Sequence, residues 1–503
     1  MKKIIFTILA AIFALSIQAQ TLRTSYFMDK YANRHQRNPA MSPAWGYINF
    51  PALGNFHLGL QSNMGLANFL FPVGDGSGRM KTFLHPDVSS NDFLRGISRF
   101  GEAFSVDANI GVLGFGFFTQ GHRFWSFDLN LRAHGGMNIP KDFFVMLKEL
   151  DSRTGRTYSF ENMNASLRAY TEFAFGHARD INENIRVGAK FKFLVGLADA
   201  RVRLDEFSIH TSQDVWSIDA RGTATYLGLD GLGFRIDSNG VVDWRETFNV
   251  NINDIDFTTP RGFGAAIDLG VVWNMDNFLG SIFPLLPLNG FTFSAGLTDL
   301  GFIRYGRSQQ AQAQGRVMHS SDLIVLRHGD SLRIDFDHLT DQLNEMVEFR
   351  PTTETSGMAR GLRTTTNLGL EYSFLNNTMS AGLLWTSHFG LPRVFNELTL
   401  SYNLRPTSWF AFSLSSSLAN GFFRSAGWAM NITPKWGLNF FFGMDYVPFA
   451  WTPRLNDFDW GTRFGVPIYN ANLNFNFGMS IPLGGNRHHN FQTRRERQQQ
   501  NTQ

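Results

Sequence analysis

The sequence predicts an all-β fold: a transmembrane antiparallel β-barrel of about 14 strands, with 16 as the alternative, and a plug-like N-terminal segment. Three observations point there. Segments alternate apolar and polar residues over bilayer-spanning lengths, connections alternate between short and long, and the composition is rich in aromatics without any long apolar block.

The 503 residues include 51 Phe, 48 Gly and no Cys, with 15% aromatic and only 17% charged residues. So much aromatic surface needs a large apolar environment. A mean hydropathy of -0.16 nevertheless shows it interleaved with polar residues, which suits strands better than membrane helices. Without Cys, disulfides and cysteine-ligated metal centres are excluded. The 45 basic and 42 acidic residues nearly balance, and the excess sits at the ends, as at Arg487, Arg494, Arg495 and Arg497. Nucleic-acid binding is not implied.

Lys2 and Lys3, an apolar run from Ile4 to Ile17, and Ala19 before Gln20 read as a signal peptide over residues 1–19. The run is shorter than the ~20 residues of a membrane-spanning helix, and no later segment supplies one. Export to a Gram-negative outer membrane is the expected destination.

The strands follow from two-residue alternation. Trp125, Phe127, Leu129 and Leu131 face one way, and Ser126, Asp128, Asn130 and Arg132 the other. Val187, Ala189, Phe191, Phe193, Val195 and Leu197 repeat the pattern, as do Ala471, Leu473, Phe475, Phe477, Met479 and Ile481. A soluble sandwich also alternates, but here the polar face is crowded with Gly, Ser, Asn and Thr, as a wet lumen would be. Aromatics recur at strand ends, at Trp385, Trp409, Trp436 and Tyr446, where interfacial girdles sit. In lipid only a closed barrel satisfies every strand's hydrogen bonds.

Short turns at 120–123, 180–184, 375–377, 405–408 and 433–435 alternate with other connections, most of them long: 133–162, 198–261, 306–363 and 447–466. Segments 387–393 and 420–423 are shorter members of that second set. Short turns belong to the periplasmic side and long loops to the outer side. Both barrel ends then share one side, which requires an even strand number. The count is 14 if 201–226 is a hairpin projecting beyond the membrane. Arg201, Arg203, Asp205, Glu206, Asp219 and Arg221 put charge on both its faces, so that arrangement is preferred.

The domain plan is a leader (1–19), a plug-like region with the first strand (20–103), the barrel with long outer loops (104–483), and a basic, Gln-rich periplasmic tail (484–503). Segments 21–51 and 65–101 lack the ladder and are expected to enter or cap the lumen. Pro140 to Leu150 and Asp335 to Val347 read as short amphipathic helices in outer loops.

Arg23-Thr-Ser-Tyr-Phe27, Asn38-Pro39-Ala40, Gly46-Tyr47, Pro51-Ala-Leu-Gly-Asn55, Thr298-Asp299-Leu300-Gly301 and the run Ser401 to Pro406 carry a family resemblance over nearly the whole mature chain. The chain resembles an uncharacterised family of bacterial outer-membrane proteins with a domain of unknown function. That family is similar in architecture to the FadL transporter and the PorV/PorP-type barrels of type IX secretion. The resemblance implies a FadL-like barrel with a plug that admits hydrophobic molecules or holds a secreted partner. It supplies no ligand residues.

No phosphate-binding loop or zinc helix motif is present. Gly74 to Gly78 lacks the Lys of such a loop. His319, His328 and His338, with Asp322, Asp330, Asp335 and Asp337, form one loose cluster without ligand spacing. Ser126 and His134 share a strand face but lie ~27 Å apart at strand rise, too far to form a catalytic pair. His122, His177 and His388 lie near strand ends. Asp330-Ser331-Leu332 is a chance-level glycosylation pattern, and Asn164-Ala165-Ser166 falls inside a predicted strand. No catalytic, cofactor or metal residues are therefore assigned, and an enzyme is not expected.

Strand parity places Asp128, Arg132, Arg168, Glu172, Lys190, Lys192, Asp268 and Glu371 in the lumen, where mixed signs suit paired charges that stiffen the wall or dock the plug. A selectivity role is the rival assignment. The functional expectation is passive uptake of small hydrophobic compounds. The alternative is a non-transporting scaffold whose outer loops bind a secreted or surface protein. Expected partners are outer-membrane lipid, hydrophobic small molecules or such a protein, and an acidic periplasmic partner for the basic tail.

Overall fold

In the computed structural model the described residues are 22–484, except 64, 66–67, 73–79, 84, 100, 150–154, 213–214, 229–232, 249–258, 283–288, 320–346, 353–354, 391, 420–422, 435–436 and 448–471. The leader, Trp436, the Gly74 to Gly78 loop, the second loop helix, nearly all of the loose His/Asp cluster and the tail beyond Gly484 lie outside them.

Antiparallel pairing runs around a closed ring of 14 strand positions. β1 is built of two arms, Gly46–Asn49 and Phe56–Ser62. β2 (Glu102–Thr119), β3 (Arg123–Ile139), β4 (Met163–Asp180) and β5 (Ile185–Thr211) follow. β6 consists of Val215–Leu227 stacked above Gly262–Asn274, and β7 is Phe291–His319. β8 has arms Glu348–Pro351, Thr355–Gly361 and Thr365–Phe374, all paired with β7. β9 (Met379–His388), β10 (Phe395–Leu404), β11 (Phe410–Ala419), β12 (Phe423–Ile432), β13 (Asn439–Met444) and β14 (Leu473–Leu483) complete the ring. β14 closes on β1, with Gly46 opposite Leu483 and Phe56 opposite Phe477. Both ends of the barrel therefore lie at the end that carries the short turns.

Polarity follows the alternation. Phe191 and Phe175 are 53% and 55% exposed on the outside, whereas Lys190 and Lys192 are each 3% exposed inside. Neighbouring aromatics meet on the lipid-facing wall, as Phe115 with Phe127 and Phe127 with Phe175. At the girdle positions Trp409 is exposed as expected. Tyr446 corrects the expectation: it turns inward and is buried, because its hydroxyl donates to Glu397 at 2.7 Å.

The 201–226 hairpin projects beyond the membrane-spanning wall, as the 14-strand count required. Asp199 to Thr211 pairs with Val215–Leu227, which pairs in turn with Gln309 to His319 of β7. Segments 306–319 and 348–361, expected as loop, are thus strand, and they continue the wall into a loop-end extension. Its core holds Phe160, Leu204, Phe207, Ile209, Trp216, Ile218 and Phe349. The loop helix is confirmed as Lys141–Glu149, with Phe144, Val145 and Met146 buried. The described residues of segment 65–101 do not enter the lumen. They cap the loop end, where Phe83, Val88, Phe93 and Ile97 pack against Phe144.

Candidate functional site

Residues 22–44 fold into the lumen with two single 3-10 turns, Arg23–Ser25 and Arg34–Gln36, and little regular structure. A segment bonded to itself only through isolated turns leaves backbone groups that need partners from the wall, and the wall supplies them. Arg23 and Thr24 donate their backbone N–H groups to the Asp445 carboxylate at 3.0 and 2.9 Å. The Arg23 guanidinium sits 3.2 Å from Glu397 and 3.4 Å from Asp445. Asp445 reaches the plug because the chain leaves β13 at Met444 and bends inward, where Asn474 donates to the carboxylate at 3.0 Å. At the turn end Arg405 joins Glu371 (2.8 Å) on the wall to Asp29 (3.3 Å) and the carbonyl of Phe27 (2.7 Å) on the plug.

Asn38-Pro39-Ala40 is the tightest contact. Asn38 Nδ2 donates to the carbonyls of Val271 and Ala295 at 3.3 and 3.1 Å, and Oδ1 accepts the Ala40 N–H at 3.0 Å. The backbone fits because the wall beneath has no side chains. A Cβ on Gly188 would overlap Pro39, one on Gly270 would overlap Asn38, and one on Gly296 would lie 2.7 Å from the carbonyl oxygen of Arg37. Similar recesses at Gly382 and Gly443 receive Phe27 and Leu22.

A second device lies in β1. Between its two arms, Phe50 to Asn55 leaves the wall as a knuckle, with Ala52 at a φ of 61°. Its backbone remains bonded to both neighbours, through Ala52 N–H to Gly111 (2.9 Å) and Met479 N–H to Leu53 (2.9 Å). From inside, plug residue Asn33 donates to the Gly54 carbonyl at 2.9 Å. The Pro51 to Asn55 motif thereby ties plug to wall.

Of the charges named from parity, Arg132, Glu172, Lys192 and Asp268 share one cluster. Arg132 contacts Glu172 at 2.6 Å, and Lys192 contacts Asp268 at 2.8 Å. Both cations also meet Asp299, at 2.9 and 2.6 Å. Lys190 on β5 crosses over Gly176 on β4 to reach Asp128 on β3 at 2.9 Å. Arg168 pairs separately with its cross-strand neighbour Asp199 at 2.6 Å, and Glu371 pairs with Arg405 far from the cluster.

Parity missed Asp299, the centre of the cluster. Its φ is 61° and the β6–β7 register breaks between Ile267 and Leu269, so Asp299 is the extra residue of a bulge. Its N–H donates to Asp268 at 2.7 Å and its carbonyl accepts from Thr364 at 3.2 Å. The Thr298 to Gly301 motif was the available signal. Glu397, Arg405 and Asp445 were also missed, and only the run Ser401 to Pro406 marked any of them.

A family match spans residues 39–445, from within the docked Asn-Pro-Ala motif to the carboxylate that clamps Arg23 and Thr24. The chain belongs to DUF5723, a family of unknown function. No curated protein matches it. Among solved structures, this DUF5723 chain is similar to the Pseudomonas putida toluene transporter TodX, at 8% identity and a TM-score of 0.36, covering 90% of this chain and 94% of that one. It is also similar to the CymD monoaromatic hydrocarbon channel (10%, TM-score 0.36, 92% and 94% covered). A Pseudomonas aeruginosa FadL homologue gives 8%, a TM-score of 0.36, and 92% and 94% coverage.

In this DUF5723 barrel the ion-paired layers leave a small cavity of about 50 Å³ between plug and wall, lined by charged and amide side chains. A larger groove of about 940 Å³ lies in the loop-end extension, along Glu161, Asp205, Glu206, Asp219 and Arg316. Among the described residues no His, Asp or Glu group has metal-binding geometry.

Proposed function

We propose that this protein is an outer-membrane barrel with a closed lumen, a scaffold whose outer face holds a secreted or surface protein. The reading is carried by the seating of the plug: its backbone occupies glycine recesses and its charges are clamped by Asp445, Glu397 and Arg405. A polar cavity of about 50 Å³ has room for roughly three or four waters. The cored extension, with its groove, offers a rigid outer surface of the kind that binding sites prefer.

The test uses the full chain. In planar bilayers it is expected to give no conductance steps. In intact cells, photo-crosslinkers at single cysteines in the extension, such as Arg221→Cys, are expected to give one reproducible protein adduct, and a cysteine at the Leu375 turn none. Steady open-channel conductance, or no adduct from any extension position, would sink the reading.

Passive uptake of small hydrophobic compounds is the second reading. One observation favours it: the interior of the extension is apolar, with Leu204, Phe207, Ile209 and Trp216 buried there. Faster entry of a monoaromatic solute into liposomes carrying the protein, lost when the extension is filled by a bulky label, would favour uptake over scaffolding.

A further inference from the structure

The ion-pair layers leave out a buried guanidinium of the plug. Arg37 of the plug is 6% exposed, yet its guanidinium makes a single long hydrogen bond, Nη1 to Asn367 Oδ1 at 3.4 Å, and Nε has no partner. Among the described residues no carboxylate lies within the 4.0 Å of an ion pair. By contrast Arg23, Arg132, Arg168, Arg186 and Arg405 each have one within 3.2 Å. A guanidinium keeps its charge and carries five donors. Buried without a counter-charge it is strongly destabilising.

Arg37 lines the cavity of about 50 Å³ between plug and wall. Another residue on its lining, His388, has a buried Nε2 with no hydrogen-bond partner. His388 Nδ1 lies 2.8 Å from Thr365 Oγ1. In the tautomer where Thr365 donates, Nε2 carries the ring proton and is a donor. The other cations on the cavity wall, Arg132, Lys190 and Lys192, are already taken by carboxylates. The cavity therefore presents a spare positive charge and donors. A water needs ~10–15 Å³ on the same measure, so there is room for a few heavy atoms and no more.

We propose that this cavity binds a small monovalent anion, a halide or a short carboxylate, which neutralises Arg37 and locks the plug against the wall. The site goes beyond the scaffold reading and does not depend on it.

The test is thermal unfolding of the purified full-length protein in detergent at fixed ionic strength. Sodium gluconate, whose anion is too large for the cavity, is replaced stepwise by chloride, formate or acetate. The unfolding midpoint is expected to rise saturably with one of the small anions and to lose that response in Arg37→Gln, while Lys81→Gln, remote on the loop-end cap, keeps it. A response to chloride alone identifies a halide, and one to formate or acetate alone a carboxylate. Equal midpoints in all four salts, or an unchanged response in Arg37→Gln, overturn the proposal in favour of water alone. If Arg37→Gln does not fold, wild-type crystals soaked separately in bromide and acetate decide. A bromide anomalous peak or a bound carboxylate at the guanidinium supports the site, and ordered water in both soaks overturns it.

Discussion

β5 and β7 each pass through two environments, and the same strands obey opposite rules in them. At membrane level Lys190 and Lys192 point in and Phe191 and Phe193 point out. Beyond Gly196, Leu204, Phe207 and Ile209 point in, while Arg203 and Glu206 are solvated, with side chains 54% and 63% exposed. The switch is accompanied by irregular pairing: the β4–β5 register shifts between Ala169 and Tyr170, and the β5–β6 register shifts near Arg221. A strand has no intrinsic inside. Lipid outside the wall demands a polar interior, and water outside it demands an apolar one.

The largest expected effects fall on groups buried in each region. Asp128→Ala leaves the buried Lys190 without its carboxylate in the lumen, an expected loss of about 3–5 kcal/mol. Phe207→Ala empties a core position of the extension at a similar cost, about 3–5 kcal/mol. Chemical denaturation in detergent reads both. If the extension unfolds separately, Phe207→Ala will affect a first transition and Asp128→Ala a second, and one shared transition would show that the two regions are a single cooperative unit.

Next comes the lipid-facing wall. Phe191→Arg is expected to cost about 2–4 kcal/mol if that position lies near the bilayer midplane. Arg at the solvated position of Glu206 should be nearly silent, and equal costs would mean that both faces meet the same medium. Gly270→Ala pushes a methyl group into Asn38 and is expected to cost about 1–3 kcal/mol through overpacking. The chain has no Cys, so a single cysteine at Ala40 reports whether the plug has lifted: labelling should be slow in the parent and fast in Gly270→Ala. Smallest is Arg221→Ala. Its ion pair with Glu206 is exposed, and surface pairs contribute roughly 0–1 kcal/mol.

The barrel was legible because lipid and lumen impose a period of two on each strand, which Trp125 to Arg132 and Val187 to Val195 display directly. The charges on both faces of 201–226 also marked the projecting hairpin. Parity fails where the period breaks. Asp299 escaped because a bulge adds a residue, and Tyr446 was misplaced because the chain had already left β13. The glycine recesses could not be read either. Gly188, Gly270 and Gly296 look like any other small lumen residues until the plug is seen against them. Pairings such as Arg23 with Glu397 and Asp445 join opposite ends of the chain, and no local pattern encodes them.

The plug immediately precedes β1, and β1 is the strand on which β14 closes. Sealing the ring and filling it therefore take place at one seam. Asn33 braces the knuckle of β1 from inside, so the strand that receives β14 is shaped by the cork it brings along. This order of assembly predicts that a chain lacking residues 22–44 stalls as an open sheet on the insertion machinery. Recovery of a normally closed, heat-modifiable barrel from that deletion would show that the ring can form empty.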